Sequence, residues 1–238
     1  MFNASSTAEP QEPRSGKLFA KPWTADVSRV RSFWGSVERF PPGGNLIGRL
    51  RNGPKQVVVL SGWACDMWIL PDGRRQIFSL FVPGDHIDIR QNSGVAARSF
   101  VALTRLEVID RRRLANGGTE PVNLPQAPSF EETEDRHFVQ MVRLGQLSGK
   151  ERMLHLFLEL YERLSAVGLS KDGSFRFPLT QEVMADALGL SIVHVNRTLQ
   201  QLRREGLVEV RSGTVTLLQR GRSAALALYQ GASPAQLV

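Results

Sequence analysis

Cysteine is almost absent from this sequence, and histidine is sparse. Cys65 is the one cysteine among 238 residues, which excludes an internal disulfide, a cysteine-ligated zinc site and an iron–sulfur cluster. No HExxH, GxSxG or GxxxxGKS/T motif is present, so zinc-protease, serine-hydrolase and P-loop chemistry have no sequence support. The four histidines are widely scattered: His86, His137, His155 and His194. We therefore expect a protein that is not an enzyme and holds no metal ion.

Long apolar runs are also missing. No run approaches the roughly 18 residues that a membrane-spanning helix needs. The N-terminal stretch MFNASSTAEPQEPRSGK is polar and rich in Pro and Ser, unlike a secretory signal. We expect a flexible tail over residues 1–25, no membrane partner and a cytoplasmic location, which the low cysteine content also favours.

Lysine is scarce, whereas arginine is abundant. The chain has 25 arginines and 5 lysines, which together make the 30 basic residues that face 23 acidic ones, and its net charge is +7. A basic balance favours a polyanionic partner, and the guanidinium fork matches phosphates and guanine edges. A GC-rich genome would give the same arginine bias, so the charge alone does not decide between the two explanations.

The N-terminal half is typical of β structure. Gln56–Ala64 is rich in β-branched residues, and Met67–Asp85 contains two apolar runs joined by Pro71-Asp72-Gly73, a turn sequence. Arg98–Leu114 alternates between apolar and polar residues in places. Short strands at this spacing predict a small antiparallel barrel or sandwich, which we place at residues 26–128.

The period becomes helical after residue 128. Phe138, Met141 and Gly145 share one face of a helix predicted over 129–147, and this face is our candidate dimer interface. Gly149–Leu169 predicts a second helix that ends near Gly168.

The segment FPLTQEVMADALGLSIVHVNRTLQQLRREGLVEVRSGTVTLL predicts a winged helix over residues 148–220. Thr180 is a good N-cap for one short helix, Gly189 interrupts it, and Ser191 caps the next. Leu207–Val210 and Thr214–Leu217 alternate about a glycine-containing turn, which is typical of a hairpin. We expect a tail over residues 221–238, and beyond Leu218 we expect one more short helix followed by a frayed end.

The second helix of this segment has an unusual outer face. Its buried side needs only Val195, Leu199 and Leu202. On the other side, the first two turns contain almost no acidic residues. Arginine pairs with guanine O6 and N7 in the major groove, and asparagine pairs with adenine N6 and N7. The pattern therefore indicates a helix that contacts DNA.

The segment LTQEVMADALGLSIVHVNRTLQQLRREGLVEV resembles the DNA-binding half of the Crp/Fnr family of bacterial transcription regulators, and LPDGRRQIFSLFVPGDHIDI resembles that family's barrel. The resemblance implies an α+β fold with an N-terminal cyclic-nucleotide-binding-like antiparallel β-barrel (a double-stranded β-helix), a connecting dimer helix and a C-terminal winged helix-turn-helix. It also implies a homodimer that binds palindromic promoter sites on double-stranded DNA, with RNA polymerase as a further partner.

The resemblance also suggests which residues contact DNA. Family members read bases from positions that correspond here to Ile192, Val193, Asn196 and Arg197. Arg197 matches the family pattern, whereas many members have glutamate in place of Val193, so we do not assume the family's usual half-site. The complete set of predicted DNA-contacting residues is Thr180, Ser191, Ile192, Val193, His194, Asn196, Arg197, Gln200, Arg203, Arg204 and Arg211.

The barrel departs from the pattern of cyclic-nucleotide-binding members. They bind the ribose with a Gly-Glu pair and the phosphate with an Arg-Ser pair; this chain keeps Arg98-Ser99 but has Asp88-Ile89 at the first position. Losing the glutamate removes the acceptor for the ribose 2′-hydroxyl, so we expect an unidentified small-molecule effector other than cyclic AMP, with Asp88, Arg98 and Ser99 as candidate contacts. Arg98 could instead anchor the barrel in an internal salt bridge.

Two further questions stay open in the sequence. We predict no cofactor, although haem is compatible with His86, Met67 and Cys65 as ligands, and we expect Cys65 to be an inert core thiol. The alternative function is a ligand- or partner-binding barrel whose winged helix is a protein-interaction surface. The lack of aromatic residues on Ser191–Arg204 argues against that alternative.

Overall fold

The structure is a computed structural model that describes residues 37–50, 56–89, 98–111 and 130–229. The predicted tail over 1–25 and the last part of the predicted tail over 221–238 lie outside the described residues. The elements of the N-terminal half are β1 (Val37–Phe40), α1 (Leu46–Leu50), β2 (Gln56–Ser61), β3 (Ala64–Ile69), β4 (Arg75–Phe81), β5 (His86–Asp88), β6 (Arg98–Ala102) and β7 (Leu106–Asp110).

These strands form two antiparallel sheets, in the orders β1-β7-β2-β5 and β4-β3-β6. Side chains from both sheets share one core, in which Val57, Phe100 and Leu106 are at most 1% exposed. The predicted turn joins β3 to β4, where the Gly73 amide donates to the carbonyl of Leu70 over 2.9 Å. The predicted antiparallel barrel and the α+β class are therefore confirmed.

The C-terminal half contains α2 (Phe130–Gln146), α3 (Gly149–Ala166), β8 (Ser170–Lys171), β9 (Ser174–Arg176), α4 (Gln181–Leu188), α5 (Ile192–Arg204), β10 (Val208–Arg211), β11 (Thr214–Leu217) and α6 (Arg220–Leu226). Ser148 begins α3 with a capping box, in which its side chain and that of Glu151 each accept the other's backbone amide. The chain turns away just beyond α3 at Gly168, whose amide donates to the carbonyl of Ser165 over 3.0 Å.

The wing is a sheet of four strands rather than the predicted hairpin alone. Its order is β10-β11-β9-β8, so the strands β8 and β9 extend the hairpin. The dipeptide Asp172-Gly173 forms the turn between them, with φ of 50° and 79°. Asp-Gly is a strong signal for a tight hairpin, so this addition could have been found in the sequence.

The short helix expected after Leu218 is present at the start of the segment assigned to the C-terminal tail. Residues 220–226 form the helix α6, in which Ala224 is 3% exposed. The hydroxyl of Tyr229 donates to Glu162 on α3 over 2.7 Å. These small and aromatic side chains pack against α3, and their burial stabilises a helix whose sequence is only weakly amphipathic.

The barrel and the C-terminal half share a second hydrophobic core. The outer face of β3 and β4 supplies Cys65, Met67 and Ile77, which pack with Phe157 on α3 and Leu188 on α4. Burial raises the pKa of the Cys65 thiol to about 12, and the neighbouring charge of Asp66 acts in the same direction. A thiol at this position stays protonated at neutral pH, in agreement with the expected inert thiol.

Candidate nucleic-acid interface

Local capping positions the two helices of the helix-turn-helix. The hydroxyl of Thr180 accepts the amide of Val183, and that of Ser191 accepts the amide of His194, both over 3.2 Å. Between the helices, Gly189 adopts φ of +62°, a left-handed conformation that glycine accommodates without steric cost. Both helices therefore begin at the residues that the sequence predicts.

Contacts with the rest of the chain set the orientation of α4. Arg75 on β4 contacts Glu182 at 2.5 Å and Asp186 at 2.8 Å. The side-chain amide of Gln140 on α2 donates to the carbonyls of Ile77 and Ala187, at 3.2 and 2.7 Å. The barrel, α2 and the helix-turn-helix thus meet through specific polar contacts as well as through the shared core.

The inner face of α5 is closely packed. Val195 and Leu202 are fully buried, Leu199 is 5% exposed, and Thr198 is 4% exposed. These residues recur at steps of three and four, as expected for one buried helix face. Their burial directs the opposite side of α5 toward solvent.

The outer face of α5 has side chains available to a ligand. Ile192 is 46% exposed and Val193 is 60% exposed. Among the described residues, no hydrogen-bond or ion-pair partner is found for four polar side chains of this helix: Asn196, Arg197, Gln200 and Arg204. Asn196 is half-buried and the other three are exposed, and this row of polar groups beside two apolar side chains matches the mixture of base edges and thymine methyls in a major groove.

Three other predicted DNA-contacting residues already have contacts within the chain. Arg203 donates to the carbonyl of Val210 over 2.9 Å and so ties α5 to the wing. Arg211 forms an ion pair with Glu209 at 2.6 Å, which offsets part of its charge. His194 lies against the start of α3, since a Cβ added at Gly149 would come within 2.8 Å of its Nε2 atom.

Arg176 is a basic residue near the wing that the sequence does not single out. It is exposed on β9 and donates to the carbonyl of Ser212 in the wing turn over 3.0 Å. That turn has positive φ at both central residues, 47° at Ser212 and 70° at Gly213, as tight hairpins require. Only the pairing of β9 with β11 brings Arg176 to this position, so no local signal could have found it.

Comparison with known proteins agrees with this geometry. The sequence model of the family described as the Crp-like helix-turn-helix domain matches residues 151–222. The nitrogen fixation regulation protein FixK of Bradyrhizobium diazoefficiens is 30% identical over 163 residues, or 67% of this chain and 68% of that protein. The chain belongs to the Crp/Fnr family. It is a DNA-binding transcription regulator of the Crp/Fnr type.

Two further Crp/Fnr comparisons cover most of the chain. The transcriptional activatory protein AadR of Rhodopseudomonas palustris is 28% identical over 210 residues, or 76% of this chain and 82% of that protein. The solved structure of FixK2 from Bradyrhizobium japonicum has a TM-score of 0.61 and 22% identity, and the match covers 80% of this chain and 96% of that one. At that identity the structural match supports the fold alone.

In this Crp/Fnr chain the predicted effector residue Arg98 is held by a buried carboxylate. Its Nη2 and Nε atoms donate to Asp66 over 2.6 and 2.9 Å, and its guanidinium lies 5.2 Å from the centre of the Phe100 ring. Asp66 is only 1% exposed. Of the two alternatives for Arg98, the geometry favours the internal salt bridge over a free anion contact.

The other effector candidates lie on different strands. Asp88 lies on β5 and accepts from the side chain of Gln56 over 2.8 Å. Ser99 lies on β6 in the other sheet, where it pairs with Met67 on β3. Asp88 therefore lies in a different sheet from Arg98 and Ser99, and a shared effector site stays a prediction. The residues that the structure describes contain no group of three or more His, Cys, Asp or Glu side chains that could hold a metal ion.

The Crp/Fnr chain leaves an apolar stripe of α2 uncovered. Phe138 is 60% exposed, Met141 64% and Val142 55%, and Gly145 follows on the same helix face. Exposed apolar groups clustered in this way usually mark an interaction surface. Across the described helices, none combines the length and the apolar composition of a membrane span.

Proposed function

We propose that this regulator acts as a homodimer that reads palindromic promoter sites, with one α5 helix in the major groove of each half-site. The observation that carries the proposal is the outer face of α5, which holds Asn196, Arg197, Gln200 and Arg204 without described partners. One such helix contacts only a few base pairs, and a two-fold arrangement doubles the number it can read.

We assign different roles to the residues of this face. Arg197 reads guanine, Asn196 reads adenine, and Ile192 and Val193 contact thymine methyl groups. The remaining predicted residues position the helix on the phosphate backbone, where their contribution does not depend on sequence. They are Thr180, Ser191, His194, Gln200, Arg203, Arg204 and Arg211.

The dimer would form along the apolar stripe of α2. Phe138, Met141 and Gly145 recur on one face, and a second copy of the helix would remove their exposed apolar surface from water. The short α2–α3 connection at Leu147 and Ser148 would pass any change in the dimer packing directly to the DNA-binding half.

The barrel would supply the signal. The barrel would pack against α2 and α4 in two ways. A ligand that binds one packing more tightly than the other would change the separation of the two α5 helices. We further propose a cytoplasmic location and RNA polymerase as a partner. The named relatives are transcription regulators, which supports a role without catalysis.

The test is selection of bound fragments from a random DNA pool with the purified, ligand-free protein at two salt concentrations. Arg197→Ala is the test variant and Arg204→Ala the matched control, because both arginines lie on α5 without described partners. We expect a symmetric site from the wild type, and Arg197→Ala should lose about 1–3 kcal/mol of discrimination against random DNA.

Arg204→Ala should instead weaken binding to all sequences and reduce the salt slope by about one. An unchanged selected site with Arg197→Ala would remove that residue from base reading. An enriched site without two-fold symmetry would contradict the homodimer arrangement on DNA.

A further inference from the structure

Three consecutive backbone carbonyls at the end of α4 each accept a hydrogen bond from a different part of the molecule. The carbonyls are those of Asp186, Ala187 and Leu188, and the distances are 2.9, 2.7 and 3.0 Å. The donors lie on β4, α2 and α3, and in the same order they are Gln76, Gln140 and Arg152. The last carbonyls of an α-helix have no partner within the helix, so side chains from outside can satisfy them. The end of α4 is thus tied to the barrel, to α2 and to α3 at once.

Both glutamine donors are themselves held in place. The Gln76 side chain is half-buried and donates a second hydrogen bond, to the carbonyl of Ile77 over 3.0 Å. Gln140 is 4% exposed, and its amide nitrogen also donates to the carbonyl of Ile77, over 3.2 Å. The side-chain oxygen of Gln140 accepts from Arg143 over 2.5 Å. Because each amide bridges β4 and α4, a rotation of α4 against the barrel would break hydrogen bonds of buried groups, which is costly.

Arg152 joins the end of α4 to the connection between α2 and α3. Its Nε atom donates to the carbonyl of Leu147 over 2.7 Å, while its Nη1 atom donates to that of Leu188. A cation is favoured at this position, because the C-terminal end of a helix carries partial negative charge. The neighbouring turn has little free space: a Cβ at Gly189 would lie 3.2 Å from Leu144 of α2 and 3.5 Å from Arg152. The turn of the helix-turn-helix is therefore packed against the α2–α3 junction.

We propose that Gln76, Gln140 and Arg152 are positioning residues that hold the helix-turn-helix at one angle to α2. The helix α5 moves with α4, because both pack into the same core through Leu188 and Val195. In a dimer that forms along α2, this angle sets the separation of the two α5 helices and therefore the spacing of the half-sites. The fixed angle is a property of one chain, whereas its effect on half-site spacing rests on the proposed function.

The first measurement tests the angle in the full-length protein without DNA. Spin labels are placed at Arg105→Cys on the barrel and Lys171→Cys on β8, both exposed positions, and the distance distribution between them is recorded by pulsed electron resonance. The native Cys65 is fully buried and stays unlabelled. Dilution with unlabelled protein removes distances between subunits. We expect a single narrow distribution when the three donors are intact.

The test variant combines Gln76→Met with Arg152→Met, which keep the length of both side chains but remove their donors. It should widen the distance distribution roughly twofold, because α4 can then adopt several angles of similar free energy. Arg152→Lys should restore part of the narrow distribution, since an ammonium group can still donate to one of the two carbonyls. Tyr229→Phe is the matched control: it removes a hydrogen bond to Glu162 on α3 instead of one to α4, and should leave the distribution unchanged. If the double variant fails to fold, Gln76→Met alone should give a smaller widening.

The second measurement compares DNA duplexes that carry the selected half-sites either at the selected spacing or one base pair further apart. One added base pair turns a half-site by roughly 34° about the DNA axis, so a fixed helix-turn-helix cannot follow it without breaking contacts. The wild type should bind the longer spacing roughly tenfold more weakly, which corresponds to the loss of about one hydrogen bond. In the double variant this ratio should fall to about threefold or less, whereas Tyr229→Phe should keep the wild-type ratio. A loss of stability alone would affect binding to both duplexes equally.

The two measurements separate the possible outcomes. Equal distance distributions in the wild type and the double variant would overturn the positioning role. A wider distribution with an unchanged spacing ratio would overturn the effect on half-site spacing. A wild type that selects no symmetric site would instead contradict the proposed function, and the spin-label measurement would still decide the role of the three donors.

Discussion

Loss of the Arg98 guanidinium should destabilise the barrel by several kcal/mol. Its partner Asp66 is 1% exposed, and Arg98→Met would leave that carboxylate buried without its cation. Breaking a buried pair in this way typically costs roughly 3–5 kcal/mol. Because the Arg98 side chain is 20% exposed, water can reach part of the site. We therefore expect a loss near the lower limit, about 3 kcal/mol.

Urea unfolding of the wild type and the variant measures this loss directly. The double variant Asp66→Leu with Arg98→Met should recover most of the stability, because it leaves no unpaired charge in the sheet. Arg74→Met is the matched control: its ion pair with Asp72 is exposed, so the urea midpoint should stay near that of the wild type.

A cost below about 1 kcal/mol for Arg98→Met would refute the reasoning, since that is the range of a solvent-screened pair. Such a result would mean that Asp66 finds water or another donor once the guanidinium is removed, and that the ion pair contributes little to the stability of the barrel. A cost of the expected size would mean that any effector at Arg98 must compete with Asp66 for the guanidinium.

Three further predictions concern the recognition helix, the dimer and the response to acid. Ser191→Ala removes the N-cap of α5 and should cost about 1 kcal/mol in thermal unfolding, whereas Ser191→Thr should retain most of it. Met141→Glu, on the exposed stripe of α2, should yield monomers in light scattering, while Gln146→Glu should not. Burial alone would raise the pKa of Glu159, but the charges of Arg143 and Arg163 outweigh it and lower the pKa to about 2. The stability contributed by Glu159 is therefore complete above the unfolded-state pKa and is lost as the pH falls from about 4.5 to 2. Glu159→Gln should remove this pH dependence, which amounts to on the order of 2–3 kcal/mol of the unfolding free energy measured with urea in that window.

Elements with local signals were predictable residue by residue. Pro71-Asp72-Gly73 forms the expected turn, and Thr180 and Ser191 cap the expected helices. Each of these features depends on a side chain and backbone groups within about four residues, so the sequence contains both partners. The hairpin at Asp172-Gly173 has the same kind of signal and could have been predicted as well.

The family resemblance pointed to a candidate DNA-contacting face, but it did not separate side chains without a described partner from engaged ones. Arg197 and Arg203 are both predicted to contact DNA, yet Arg203 donates to the wing at Val210 while Arg197 has no partner in the described part of the chain. The difference comes from the wing folding back against one side of α5. The burial of α6 could not be predicted for a similar reason, because it depends on a surface that α3 supplies.

The sequence by itself determined where the two helices of the helix-turn-helix begin, which face of α5 is buried, and which family the chain resembles. These properties depend on the periodicity of apolar residues and on contacts between residues close in sequence, and both can be seen in the sequence itself. The tertiary structure alone decided which distant groups meet: Arg98 with Asp66, Arg75 with Asp186, Arg143 with Glu159, and Arg163 with Asp85. A sequence shows that an arginine is charged, but the contribution of that charge to the free energy of folding depends on its burial and its partner. Both exist only once the barrel, α2 and α3 have packed together.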